Sequence, residues 1–220
     1  GSKLLSDLLN SHEAIACDKE LFNNSFYLGK GNILFPTKLI SGKAKWHRNK
    51  AYGFKDKIYQ LDKQKNISNA EAFVYFLYRN NWKIIYLKRE NIFKHVLSRL
   101  IAKKRKQFHS YKNKENKEFG QVYINPSELF DRMERRRSFQ KREEKILKGI
   151  PHVEFSYEED LLDAEKQQKT ASKIFSLLNL EDQKVSTRFK KVNTKDNEQL
   201  IANYKEIREA LKNTPYFKWV

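Results

Sequence analysis

Apolar residues in this chain recur first at helical and then at strand spacing, and the alternation repeats. Leu4, Leu5, Leu8 and Leu9 lie on one face at the 3.6-residue period and predict a helix. Ala14-Ile15-Ala16-Cys17 is a short strand-like run, followed by Glu20. Residues Gly29 to Lys45 read as loop, punctuated by Gly29, Gly31, Pro36 and Gly42. Ala51 to Lys55 then leads into Ile58-Tyr59-Gln60-Leu61, a strand or an irregular arm. Ser68-Asn69-Ala70-Glu71 has capping-box spacing, with Ser68 as the cap of a helix that buries Phe73, Val74, Phe76 and Leu77. Asn80-Asn81 turns the chain into Trp82-Lys83-Ile84-Ile85-Tyr86-Leu87, too apolar for a surface strand and suited to a buried parallel one.

The long helix that follows has a clear apolar stripe: Ile92, Phe93, Val96, Leu97, Leu100 and Ile101. Asn91, His95, Ser98 and Ala102 form a small, polar stripe opposite, within roughly 60° of one another. Residues 107–120 are a polar loop or ragged helix, and Gln121-Val122-Tyr123-Ile124 is a short extended run. Asn125-Pro126 opens a helix with proline in its first turn, reaching about Lys148, with Leu129, Phe130, Met133, Phe139, Ile146 and Leu147 inward. After the break at Gly149-Ile150-Pro151, His152 to Tyr157 is the last strong strand, and Glu158-Glu159-Asp160 loads the next helix start with acid. Helices over Ala164–Leu178 and Glu198–Lys212 finish the chain, the last burying Leu200, Ile201, Tyr204, Ile207 and Leu211. This rhythm of helix, turn and strand predicts a layered α/β domain.

A length of 220 residues suits a single domain over residues 1–220 with a self-supporting core. No apolar run approaches the roughly 18 residues of a membrane span. The single Cys17 excludes an intramolecular disulfide and suits a reducing, cytoplasmic compartment. With 45 basic against 27 acidic residues, the net charge of +18 attracts polyanions. Three sources fit that charge: solvated surface lysines, nucleic-acid binding, or an anionic ligand such as a nucleotide bisphosphate or an acidic glycan. The runs Lys103-Lys104-Arg105-Lys106 and Arg135-Arg136-Arg137 lie on helices, without zinc-finger, RRM or basic-zipper spacing.

Two places carry candidate chemistry. Gly1-Ser2-Lys3 stands at the head of the first helix, where free backbone N–H groups, the helix dipole and the Lys3 charge make an anion site. Arg89 falls just beyond the carboxyl end of a strand, where open α/β sheets bind ligands. A kinase-type P-loop is excluded, since Gly-Ser-Lys has the wrong order and no hydroxyl follows the lysine. His12, His47, His95, His109 and His152 are scattered and lack metal-ligand spacing. His12 is read as structural or as a cation at the helix end.

These stretches resemble the sulfotransferases that use 3'-phosphoadenosine-5'-phosphosulfate (PAPS). The closest likeness is to the bacterial branch that sulfates glycolipids and Nod-factor-type oligosaccharides. The 5'-phosphosulfate loop and its leucine helix are matched by Gly1, Ser2 and Leu4-Leu5, with Asn10-Ser11-His12 after them. Lys19-Glu20 with Phe22 resembles the family's Lys-Glu and Phe signature, where the glutamate is the general base. Gly53-Phe54-Lys55 also recurs in the branch, and Tyr157 to Leu161 resembles its Tyr-Glu-Asp-Leu element. Asn203-Tyr204 and Thr214-Pro215-Tyr216 are similar to its C-terminal pattern. Arg89 and Ser98, nine residues apart, match the arginine and serine of the family's 3'-phosphate site. In the family a strand precedes the glycine loop. The expectation is therefore a first strand lying before residue 1, or a cloning remnant at Gly1-Ser2 that coincides with the motif.

The resemblance implies a P-loop-like three-layer domain with a central, mainly parallel sheet flanked by helices. It implies in-line sulfuryl transfer from PAPS to a hydroxyl of a carbohydrate or lipid-linked sugar, leaving adenosine-3',5'-bisphosphate and needing no metal. Gly1, Ser2, Lys3 and Leu4 would hold the departing phosphate, and preorganised donors of that kind contribute roughly 3–4 kcal/mol each. Glu20 would take the acceptor proton, and Arg89 and Ser98 would hold the 3'-phosphate. Arg188, Lys190 and Lys191 belong to a basic loop that would close over the nucleotide. Two alternatives stay open: a basic nucleic-acid-binding protein, and a relative that binds nucleotide without turnover.

Overall fold

The structure, a computed structural model, describes residues 1–23, 33–105, 110–111, 120–190 and 196–220, with only the backbone at 110, 111 and 190. In chain order its first elements are α1 (Ser2–Leu9), β1 (Ile15–Glu20), α2 (Pro36–Trp46), β2 (Ala51–Lys55), α3 (Ile58–Leu61), α4 (Ala70–Arg79) and β3 (Ile84–Lys88). Then come α5 (Ile92–Lys104), β4 (Ser110–Tyr111), α6 (Pro126–Leu147), β5 (His152–Ser156), α7 (Tyr157–Asp160) and α8 (Ala164–Leu177). The chain ends with β6 (Phe189–Lys190), α9 (Asn197–Leu200), α10 (Tyr204–Leu211) and a 3-10 turn over Phe217–Trp219. It divides into two compact units, residues 1–88 with 142–187 and residues 89–141 with 188–220, and α6 contributes to each.

The first unit has the α/β character expected of it. β1 pairs with β2 in parallel, Ile15 opposite Ala51 and Glu20 opposite Lys55, with an irregularity between Asp18 and Glu20. β3 pairs with β5 in parallel, from Ile84 opposite His152 to Lys88 opposite Ser156. The strand period of two sorts the side chains. Ile85, Leu87, Val153 and Phe155 join Ile15 and Ala51 in a core with Leu5, Leu8 and Leu9 of α1 and Ala171, Ile174 and Phe175 of α8. Ile84, Tyr86 and Phe54 face the other core, built with Phe73, Val74 and Leu77 of α4 and Ile146 and Leu147 at the end of α6. Arg142 fixes that end of α6 through a two-pronged ion pair to Asp62, at 2.6 and 2.7 Å.

In the second unit the stripe on α5 is buried as its spacing predicts: Ile92, Phe93, Val96, Leu97, Leu100 and Ile101. It packs with Leu129 and Met133 of α6, Leu200, Ile201, Ile207, Leu211 and Tyr216. β4 and β6 pair antiparallel.

Several local expectations need correction. Residues 33–45 are not all loop, since Pro36 sits in the first turn of α2 and Ile40 anchors that helix in the core; residues 29–32 of the expected loop lie outside the described residues. Ile58–Leu61 is one helical turn, not a strand, because Gln60 closes back onto the Lys57 amide at 2.8 Å. The cap of α4 is Asn69, whose side chain accepts from the Ala72 amide at 2.6 Å, rather than Ser68. Phe76 is 37% exposed, on the outer side of Phe73. Asn81 does turn the chain, with φ of 63°.

The expected helix over 198–212 is broken at Ile201. Val122 bridges to Ile201 there, donating to the Leu200 carbonyl and accepting from the Ala202 amide, so the extended run at 121–124 is a single bridge. Asn203 fixes the break by bonding both the amide and the carbonyl of Ile124, at 3.0 and 2.8 Å. Of the polar stretch 107–120, residues 107–109 and 112–119 lie outside the described residues.

Candidate functional site

Gly1 is the N-cap of α1, and no acid lies in the first turn to oppose an anion. A side chain at Gly1 would be crowded, because a Cβ there would meet Leu87 and Tyr157 side-chain carbons at 3.1 Å. Ser2 and Lys3 follow on the first turn, and Leu4 packs its side chain against the core under α1.

Glu20 ends β1 beside this helix head, and it is heavily engaged. Lys57 Nζ lies 2.9 Å and Lys55 Nζ 3.7 Å from Glu20 Oε1. Gln60 and Asn23 donate to Glu20 Oε2 at 2.9 and 3.0 Å. Lys55 Nζ also reaches Ser2 Oγ at 3.5 Å, so one lysine links the helix head to the carboxylate. Burial would raise the Glu20 carboxyl. Hydrogen bonds from Lys57 and Gln60, with the charges of Lys57 and Lys55, outweigh burial and hold it at about 2. Burial lowers the Lys55 ammonium, and the charges of Lys57 and Lys3 push the same way against Glu20. Two lysines, Lys55 and Lys57, thus share one carboxylate beside the head of α1, and the Lys3 charge acts on Lys55.

Asp56 stands next to this group. Its two oxygens accept from the amides of Leu21 and Phe22, at 3.2 and 3.0 Å. Burial pushes it up to about 8, although those amides pull the other way. The adjacent Cys17 thiol is pushed up to about 11 by burial and stays protonated. His12 is structural: Nδ1 accepts from the Ala14 amide and Nε2 meets the Glu181 carbonyl, both at 3.1 Å, with the ring against Phe175.

The second unit holds the other candidate set. Asn91 caps α5, accepting from the Lys94 amide at 2.7 Å. One turn beyond the cap, His95 and Ser98 project on the stripe opposite the core. Arg89 Nη1 donates to Ser98 Oγ at 3.4 Å, and Ser98 Oγ donates to the His95 carbonyl at 3.0 Å. Burial, then the charges of Arg136 and Arg89, push the His95 imidazole down to about 3, so the ring is neutral. His95 Nδ1 is buried with no hydrogen-bond partner among the described residues. Arg188 is exposed just before β6, Lys190 lies in β6, and Lys191 is outside the described residues.

Each unit therefore gathers part of what the sequence singled out: Ser2 and Glu20 through Lys55 in one, Arg89 with Ser98 in the other. Lys57, Gln60 and Asp56 were not identified from sequence, and Lys55 was noted only within the Gly53-Phe54-Lys55 likeness. Their only signal is the parallel pairing that sets the end of β2 opposite Glu20. Comparison of the chain with protein-family models, with curated proteins and with solved structures finds no match.

Proposed function

We propose that this chain is a PAPS-dependent sulfotransferase of the type that modifies carbohydrates or glycolipids, on a P-loop-like three-layer domain. The observation that carries the reading is the contact of Arg89 Nη1 with Ser98 Oγ. These are the residues that the resemblance assigns to one phosphate, and a guanidinium and a hydroxyl in contact with each other are residue types suited to hold one. The parallel pairs β1–β2 and β3–β5, with helices packed on both faces, support the fold.

The donor supplies a sulfuryl group on a phosphate leaving group, with charge building on that phosphate during transfer. Backbone amides from Gly1 to Leu4, with Ser2 and Lys3, meet that charge in a preorganised field. Arg89 and Ser98 hold the 3'-phosphate and set the register, and Arg188, Lys190 and Lys191 close over the nucleotide. Glu20 accepts the proton of the acceptor hydroxyl. Held at about 2, it is ionised but a weak base. Lys55, shared between Ser2 and Glu20, is drawn toward an anion at the helix head, which removes one of the charges that depress Glu20 while Lys57 and Gln60 keep their hydrogen bonds to it. The acceptor is a carbohydrate or a lipid-linked sugar rather than a nucleic acid, and the lone Cys17 suits a cytoplasmic enzyme. No helix among the described residues is long and apolar enough to cross a membrane.

Transfer from labelled PAPS to a glycan panel tests the reading. Wild-type protein should label at least one acceptor, and Glu20→Ala should slow turnover by about 10²–10⁴-fold. Nucleotide binding without transfer to any acceptor would identify an inactive relative, and full turnover by Glu20→Ala would remove Glu20 from the base role.

A further inference from the structure

The sequence holds no acidic residue from Leu21 through Lys55, yet seven lysines and arginines. The middle of this run is α2. Its inner side is satisfied: Pro36 and Ile40 are buried, and Lys43 pairs with Asp18 at 2.8 Å. Its outer side is unusual for a basic helix. Trp46 is 86% exposed, Phe35 60% and Leu34 73%, the largest exposures of apolar side chains among the described residues. Lys38, Gly42, Lys45 and Trp46 are all exposed and recur at helical spacing, so they share one face. Lys38 Nζ lies 4.8 Å from the Phe35 ring centre, which brings the ring to the same face at its N-terminal end. Among the described residues no side chain comes within 4 Å of the place where a Cβ on Gly42 would stand, so none of them covers the face between the two aromatics. Arg48 and Lys50, both exposed, extend the charge past Trp46. Among the described residues no acid pairs with Lys38, Lys45, Arg48 or Lys50.

From these observations we infer that the outer face of α2 seats this protein on an anionic lipid surface. Phe35, Leu34 and Trp46 enter the headgroup boundary, and Lys38, Lys45, Arg48 and Lys50 lie against the phosphates. Two features choose a membrane over a nucleic acid. Leu34 offers hydrocarbon and no ring to stack on a base, and the aromatics sit at the two ends of a helix face, about three turns apart, as an interfacial helix requires. The lysines supply the second signal that a short helix needs for stable attachment. The inference goes beyond sulfuryl transfer and stands without it, although it would also bring an enzyme to a lipid-linked acceptor.

The test is co-flotation of the whole chain with vesicles of equal parts phosphatidylglycerol and phosphatidylcholine, against pure phosphatidylcholine vesicles and a single-stranded 20-mer oligonucleotide. The protein should float with the anionic vesicles only. Phe35→Ser/Trp46→Ser should weaken that partitioning by about tenfold or more while leaving oligonucleotide affinity unchanged, and Lys38→Ser/Lys45→Ser should weaken it by a similar factor. All four side chains are exposed, so circular dichroism and melting of the variants should match wild type. Absence from the anionic vesicles, or flotation unchanged in the aromatic variant, would overturn the inference. So would an oligonucleotide affinity that falls with Phe35 and Trp46 while vesicle binding does not.

Discussion

Replacing Glu20 with Gln removes the shared carboxylate of Lys55 and Lys57 while keeping its size. The gain these partners give the charged form follows from the carboxyl's fall from 4.5 to about 2. At about 1.4 kcal/mol for each tenfold change, that is roughly 3 kcal/mol. The side chains of Glu20 and Lys57 are 21% and 39% exposed, so solvent screens part of this, and about 2 kcal/mol is expected to be lost at pH 7. The sign is set by a depressed folded-state pKa. The contribution is fully present above about pH 4.5 and disappears as pH falls toward 2. Urea unfolding of wild type and Glu20→Gln, followed between pH 7 and pH 2.5, should show the difference closing across that interval. A difference that is flat with pH, or a variant as stable as wild type at pH 7, would refute the lysine-shared carboxylate.

Asp56 should titrate with the opposite effect. Its folded-state pKa of about 8 lies above the ordinary 3.8, so the folded form keeps a proton that the unfolded form has lost. Its contribution is full below about pH 4 and declines as pH rises to about 8, and Asp56→Asn should abolish that decline in a stability–pH series. Met133 is fully buried between α5 and the C-terminal helices, so Met133→Ala should cost about 2–5 kcal/mol in urea unfolding without altering nucleotide affinity.

What could be read from the chain alone depended on how local the cause was. The α5 stripe was legible because it follows from helical spacing, whereas Arg89 and Ser98 were paired by the family resemblance and not by spacing. α2 was hidden because Pro36 and Gly42 look like loop punctuation, although proline in a first turn and an exposed mid-helix glycine are both compatible with a helix. The break at Ile201 was invisible since its cause, the bridge to Val122, lies far away in sequence. The surroundings of Glu20 were illegible for the same reason. Lys55 and Lys57 reach it only through the register of two parallel strands, and no spacing in the sequence encodes that register.

The proposal requires that this chain bind a nucleotide with two phosphate ends, and calorimetric titration of adenosine-3',5'-bisphosphate against adenosine-5'-monophosphate tests this most directly. Wild-type protein should bind the bisphosphate at least about tenfold more tightly, Arg89→Gln should erase that preference, and much of the affinity should survive a rise from 50 to 200 mM salt. Equal affinity for the two nucleotides, or bisphosphate binding that collapses with salt and ignores Arg89, would contradict it.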